Sequence, residues 1–245
     1  MRELGHDSGR GAFTLIELLV VVAVLALLVA TLLPALAGAR RSAQGVACLS
    51  NMRQLAIAQA AYAADCDGAL VDYGISHGAT PELSTISWLD SLGPYFEDAP
   101  VVRSPLDTSP HWDEPIVDRF RVTSYGLNEH VTPSAPTDPA TGKTLGGGVI
   151  HRLRNPAETV QWLPMAYAGD YAVSDHVHVI NWWIGSFLPD APASIAASMC
   201  QTNTRGGDAG AWSARANYAS LDASAGVFRF DEVYRTAEDN RFLPR

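Results

Sequence analysis

Cysteine is scarce in this 245-residue chain: Cys48, Cys66 and Cys200 are the only three, and no CxxC pair occurs. That spacing excludes a disulfide framework and a thiolate zinc knuckle. An odd count leaves two readings open, one bridge between Cys66 and Cys200 or three small buried hydrophobes. Charge is sparse too, at 18% of residues, and the formal net charge of -9 comes without a dense run of Lys or Arg. A stripe able to neutralise several phosphates is therefore missing, and no nucleic-acid partner is expected. Catalytic signatures are equally absent: no GxSxG elbow, no HExxH helix, no Cys-His nucleophile context. Carboxylate pairs such as Asp113-Glu114 and Asp231-Glu232 lie in polar stretches where solvation accounts for them. Gly146 to Gly148 lack the Lys-Ser/Thr of a phosphate loop, and GGDAG at 206–210 has no adjoining strand and helix, so both read as flexible connections. The chain is expected to be no enzyme and to carry no cofactor.

What the chain does have is apolar content, 47% of residues, and its location is informative. Residues 1–12, MRELGHDSGRGA, are polar and contain glycine; the apolar run begins at once behind them. From Phe13 to Leu33 the only polar side chains are Thr14, Glu17 and Thr31. A helix over that run would extend roughly 31 Å, enough to cross the hydrocarbon of a bilayer. A secretory signal places its small-residue cleavage site after the apolar core, whereas Gly11 and Ala12 stand before it. Cleavage there would leave the membrane helix in the mature protein. Glu17 inside the run demands a partner, because a carboxylate costs about 2.5 kcal/mol or more at the centre of a spanning helix. Snorkelling to the headgroups, aided by the helix dipole, is the simplest account from position alone.

The segment GAFTLIELLVV, Gly11 to Val21, closely resembles the class III signal of type IV pilins and type II secretion pseudopilins. The resemblance implies that a prepilin peptidase cuts between Ala12 and Phe13, that the Phe13 amine is methylated, and that Glu17 pairs with a neighbouring subunit's N-terminal amine during filament assembly. Pro34 corresponds to a proline that commonly loosens the helix in that family; chemically it removes a backbone donor and clashes with the carbonyl four residues earlier. Ala12 departs from the usual glycine before the cut. The family also implies a leader in the cytoplasm and a head outside it, on the inner membrane. A bare positive-inside count, with Arg2 and Arg10 in the leader against Arg40, Arg41 and Arg53 beyond the span, leans the other way. The implied partners are prepilin peptidase, other pilin-like subunits with their secretion or pilus platform, and inner-membrane lipid.

Beyond the span, Leu49, Met52, Ala56, Ala60 and Ala63 recur at helical spacing, opposite Arg40, Gln44, Asn51 and Gln54. This predicts an amphipathic continuation whose stripe forms the core of a head, ending at Asp65-Cys66-Asp67-Gly68. CLSNMRQLAIAQAAYAADCDG, Cys48 to Gly68, also resembles the corresponding helix of pilin-like proteins of planctomycetes and verrucomicrobia. So do SWLDSLGPYF, SPLD, SYGLN, NPAETV and ANYASLDASAGVFRF in the head. Relatives often have cysteine where Ser104 stands, and a DGHV-like or DGSV-like tetrapeptide where Asp222 to Ala225 stand.

After Gly68 helical periodicity disappears and strands with loops are expected. Thr159 to Leu163, Val177 to Ile184, Asn217 to Leu221 and Val227 to Phe230 are β-prone, and the last two flank a hairpin turn at 222–226. Pro133, Pro136, Pro139 and Gly146 to Gly148 mark a long loop. The fold class expected is α+β: a long N-terminal membrane-spanning helix packed by its second half on a small, mainly antiparallel head. The divisions are a leader at 1–12, a helix at 13–65 (13–33 spanning, 34–65 amphipathic) and a head at 66–245. In Asp175-His176-Val177-His178 the two histidines would share a strand face and resemble half of a zinc site, with Asp175, His130 or His151 needed to complete it. Two ligands do not make a site, so hydrogen-bonded surface histidines are the simpler account and no metal is assigned. Asp65, Asp67 and Asp72 lack the full calcium loop, and helix capping accounts for them. Two functions follow: a structural filament subunit, or a membrane-tethered binding or hydrolytic domain that uses the helix only as an anchor. Glu17 discriminates them, since an anchor gains nothing from a buried carboxylate.

Overall fold

Valine and leucine dominate the apolar run, and β-branched residues are indifferent helix formers in water. In lipid they have no alternative, because every backbone N–H and C=O must be satisfied within the segment. The computed structural model, which describes residues 14–75, 87–96, 99–138, 141–183 and 191–244, places a single helix α1 over Leu15–Asp65, 51 residues long and continuous through Pro34. Contacts divide the chain into two compact units, Met1–Ala43 and Gln44–Arg245. In the first, every described side chain is exposed, and by length and composition α1 is the one helix among the described residues able to cross a membrane.

In the second unit α1 turns one face inward: Cys48, Met52, Leu55, Ala56, Gln59 and Ala63 are buried. Met52, Ala56 and Ala63 are as the spacing predicted, but Leu49 is half-exposed and Ala60 exposed. The stripe is rotated because two less apolar side chains have inward partners. Gln59 Oε1 accepts the Val71 amide at 3.2 Å, and the Cys48 sulfur accepts the Tyr125 hydroxyl at 3.5 Å. Helix α1 stops where the sequence places its stop. Gly68 N–H donates to the Ala63 carbonyl at 2.7 Å, with Asp67 at φ 53 and Gly68 at φ 83, the left-handed exit that glycine and aspartate tolerate.

The head is built on five strands, β1 (Tyr125–Asn128), β2 (Val160–Pro164), β3 (His176–Val177), β4 (Arg215–Ser220) and β5 (Ala225–Arg229). Their order is β3-β1-β2-β4-β5, antiparallel throughout except for the parallel β1–β3 pair. A long apolar helix followed by a small mixed sheet is the α+β arrangement expected. The hairpin at 222–226 is β4–β5, with Ala219 opposite Ala225 and Ala223 at φ 65 in the turn. The run from Val177 to Ile184 differs from expectation. Its strand is only two residues long, and Val179–Trp182 coils into a 3-10 turn that buries Trp182. The head also contains helices that the loss of periodicity concealed: α2 (Trp88–Leu92), α3 (Ala191–Met199) and α4 (Phe230–Val233). Alanine at four of nine positions favours α3, which buries Ala193, Ala196 and Met199.

Both faces of the sheet are covered. On one, Tyr125, Leu127 and Trp162 pack with the inward face of α1 and with Trp88 and Leu92 of α2. On the other, Leu163, Ala216 and Tyr218 meet Trp182, α3, Phe230 and Phe242. Trp162 and Leu163 face opposite sides, and a register shift between Val160 and Trp162 lets Val160 join Leu163.

Two of the glycines at 146–148, Gly146 and Gly148, lie tightly against backbone. A Cβ on Gly146 would lie 1.9 Å from the His130 carbonyl oxygen, and one on Gly148 would lie 2.5 Å from the Pro133 nitrogen. Backbone crosses backbone here, so there is no flexible side chain to yield. Gly146→Ala is therefore expected to destabilise the head by about 1–3 kcal/mol, read as a lower urea midpoint, with Gly147→Ala, which meets nothing within 4 Å, as the neutral control.

Candidate functional site

Asp175 immediately precedes β3 and organises the head around it. Its buried carboxylate accepts the Gly74 and Ile75 amides at 3.1 and 3.2 Å, the Ser87 hydroxyl at 2.7 Å and His176 Nδ1 at 3.0 Å. Its carbonyl accepts the Leu127 amide at 2.9 Å and Trp88 Nε1 at 3.0 Å. A side chain so engaged is a hydrogen-bond acceptor, not the metal ligand that DHVH alone suggests. Ser87, held by this carboxylate, also caps α2 through the Leu89 amide.

His176 and His178 do meet, but not at the surface. His176 is 2% exposed and its ring stacks on Tyr73, centroids 3.9 Å apart. The two Nε2 atoms lie 3.1 Å apart, with the rings perpendicular. Nδ1 of His178 is 2.6 Å from Glu129 Oε2, and Glu129 Oε1 accepts the Ile180 amide at 3.0 Å. The result is a carboxylate–imidazole–imidazole–carboxylate line from Asp175 to Glu129. Burial beside Glu129, Asp72 and Asp175 pushes the Tyr73 hydroxyl up to about 12; burial and Glu129 do the same for Tyr171. His130 does not join. Its ring stacks on Trp183, and burial pushes its pKa down to about 4, so it is neutral at physiological pH. Glu129 is the member that sequence reading misses. Its only signal is a carboxylate directly behind the last residue of β1, Asn128.

The other residues of interest are separate from this line. Cys48, Cys66 and Cys200 are all free thiols, and burial raises that of Cys200. Asp65 accepts the Tyr95 hydroxyl at 3.1 Å and Asp72 the Ser134 hydroxyl at 2.5 Å, so they serve different neighbours.

At the start of α1, Thr14 and Glu17 form a reciprocal pair. The Thr14 amide and hydroxyl donate to Glu17 Oε2 at 2.9 and 2.8 Å, and the Glu17 amide donates to Thr14 Oγ1 at 3.2 Å. This is a capping box, legible in retrospect as Thr-x-x-Glu at the head of an apolar run. Pro34 lies inside the helix, about three turns before the first buried position at Gly45, and without a donor for the Ala30 carbonyl. Gly11, Ala12 and Phe13 lie outside the described residues.

Residues 7–33 match the model of the prokaryotic N-terminal methylation motif. The chain carries a prepilin-type N-terminus. The methylation motif takes in Phe13, Thr14 and Glu17 and stops one residue short of Pro34. It supports a pilin-like or pseudopilin precursor, a class of structural rather than enzymatic proteins, anchored by one helix. No curated protein and no solved structure matches the chain, so the head is understood from its own residues.

Proposed function

We propose that the chain is the precursor of a pilin-like subunit of a type II secretion or type IV pilus-like filament. The methylation motif at 7–33, directly continuous with a helix able to span a membrane, carries this reading. Prepilin peptidase removes residues 1–12 and the Phe13 amine is methylated. Residues 13–33 remain in the inner membrane, 34–65 continue as the amphipathic helix and 66–245 form a head outside the cytoplasm. Glu17 pairs with a neighbour's Phe13 amine, and Pro34 gives the helix local freedom during extraction from lipid. The phrases shared with planctomycete and verrucomicrobial pilin-like proteins suggest that the head is of their type.

The Thr14–Glu17 capping box favours a second reading, in which Glu17 merely caps the helix of a tethered domain. Processing is the first test. Intact-mass measurement on membrane-extracted protein is expected to show loss of residues 1–12 and one methyl group on Phe13. Full-length chain alone, in a host with active prepilin peptidase, would refute the reading.

A further inference from the structure

Val117 stands where a valine is least suited. Ile116 and Arg119 exchange both backbone hydrogen bonds, at 2.8 and 3.0 Å, and close a two-residue turn in which Val117 has φ 47 and Asp118 φ 64. Such a turn favours Asn-Gly or Asp-Gly, because both central residues are left-handed, and a β-branched side chain there is strained. Burial does not compensate. Val117 is 63% exposed, and Phe120 and Val122 behind it are 51% and 43% exposed. Three apolar side chains on a strained, solvent-facing tip point to a surface that the tip covers in another setting.

A fitting surface lies at the other end of the head. The tip leads into Tyr125 at the start of β1, and Arg121 behind it donates to the carbonyl of Ala166, just past the end of β2. Beyond the opposite end of this strand pair, the Gly147 amide donates to the His130 carbonyl and Asn128 Nδ2 to that of Phe242. A cavity of about 890 Å³ opens there, with Leu145, Ile180, Trp183 and Leu243 half-buried in its wall. The direction from tip to cavity follows α1. Asn51 Nδ2 donates to the carbonyl of Arg103, whose guanidinium lies over Trp112 just before the hairpin, whereas the Leu70 amide, past the helix end, donates to the carbonyl of Gly148 in the cavity wall. Charge is complementary as well. Asp113, Glu114 and Asp118 are exposed around the tip, while exposed Arg152 lines the cavity and exposed Lys143 and Arg154 each adjoin a lining residue. Asp138 and Glu238, also in the wall, already accept the Thr141 and Thr236 hydroxyls.

We infer that the hairpin tip of one chain docks in the cavity of the next copy, so that heads join head to tail. The inference rests on the filament reading and gives the head its part in it. A tip and a cavity at opposite ends of one molecule make a heterologous contact, which propagates as an open helix unless its rotation closes a ring. The contact is small, since one aromatic side chain covers only about 150–250 Å², and it is weak between free heads. Copies held side by side by their membrane helices meet at high effective concentration, and there it takes effect.

Lys143 is the single lysine of the chain, which makes the test specific. Sheared filaments of the full chain are treated with a zero-length carbodiimide, and the bands at two, three and more chain masses are digested. The expected peptides join Lys143 to Asp113, Glu114 or Asp118. Val117→Asn combined with Asp118→Gly supplies the residues the turn favours, so it should raise the melting midpoint of the head by about 2–4 °C. The same change should lower the Lys143 links to the hairpin about 10-fold or more. Gly147→Leu fills the cavity from a position whose Cβ meets nothing within 4 Å, and should lower them as much. Links lost from a chain made more stable are not lost through misfolding. Filaments in which Lys143 joins only other carboxylates, another protein or nothing would overturn the docking and leave the filament reading standing. Unchanged links in either variant would overturn it too. Absence of filaments from the wild type would refute the filament reading, and the docking with it.

Discussion

Glu17→Leu is expected to insert into the membrane and be processed normally, and to lose at least about 90% of the crosslinked oligomers or sheared filaments formed by the wild type. Removing the carboxylate spares up to a few kcal/mol of insertion cost, less this near the helix end. Losing the capping box takes back about 1 kcal/mol. The balance leaves insertion unimpaired. In the proposed function, assembly depends on something else, the relief of an unfavourable charge in lipid when a neighbour's amine pairs with it. Glu17→Gln separates the two roles of this residue, because glutamine can keep the reciprocal bonds with Thr14 while carrying no charge. If both variants fail to assemble, the charge is responsible. Failure of Leu alone would assign Glu17 to capping, and normal assembly by both would leave the helix as a plain anchor.

Arg121→Met is the substitution expected to damage the head most. The guanidinium and the Asp107 carboxylate are both fully buried, with Nε 2.7 Å from Oδ2. Arg121 NH1 also donates to the Ala166 and Ala172 carbonyls, at 2.7 and 2.5 Å. Asp107 in turn accepts the Ser124 hydroxyl at 2.5 Å and the Ser109 amide at 2.8 Å. Burial lowers the Arg121 pKa while Asp107 opposes the shift, so the pair is held by its partners and not by solvent. Removing one member leaves an uncompensated buried charge, costing about 3–5 kcal/mol, or roughly 10 °C in the midpoint of a thermal melt for a domain of this size. Asp107→Leu combined with Arg121→Met should cost clearly less than the sum of the single changes, since the charge penalty disappears. It should not restore the wild type, because the Ala166 and Ala172 carbonyls, the Ser109 amide and the Ser124 hydroxyl lose their partners. A strictly additive double variant would show that the pair is not coupled.

Most of what was legible in the sequence is local. The apolar run and the Asp65–Gly68 stop are written within one helix, and the β4–β5 hairpin lies within fifteen consecutive residues, Arg215–Arg229. The parallel pairing of β1 with β3 was not legible, because it joins Leu127 to His176 across a long separation and neither strand announces a partner. The same is true of the polar line. His176 and His178 could be placed on one face from their spacing, yet Glu129 reaches them from 49 residues away. Even in α1 the inward face was set by tertiary partners, with Gln59 and Cys48 chosen over the more apolar-looking Ala60 and Leu49. Alternation and period report which residues prefer burial; they do not report what waits opposite.

One bond in the head sets a condition on how it can be made. Asn217 Nδ2 donates to the Gly45 carbonyl at 3.2 Å, across 172 residues, and Asn128 Nδ2 reaches the carbonyl of Phe242 at 2.7 Å. Synthesis proceeds from the N-terminus, so Met52 and Leu55 emerge long before β4 exists to help enclose their core. At ribosomal rates of about 5–20 residues per second, that interval lasts on the order of ten seconds or more. During it the α1 stripe has only part of its cover, from Trp88, Leu127 and Trp162, and the enclosure is completed last, when Ala219 of β4 arrives.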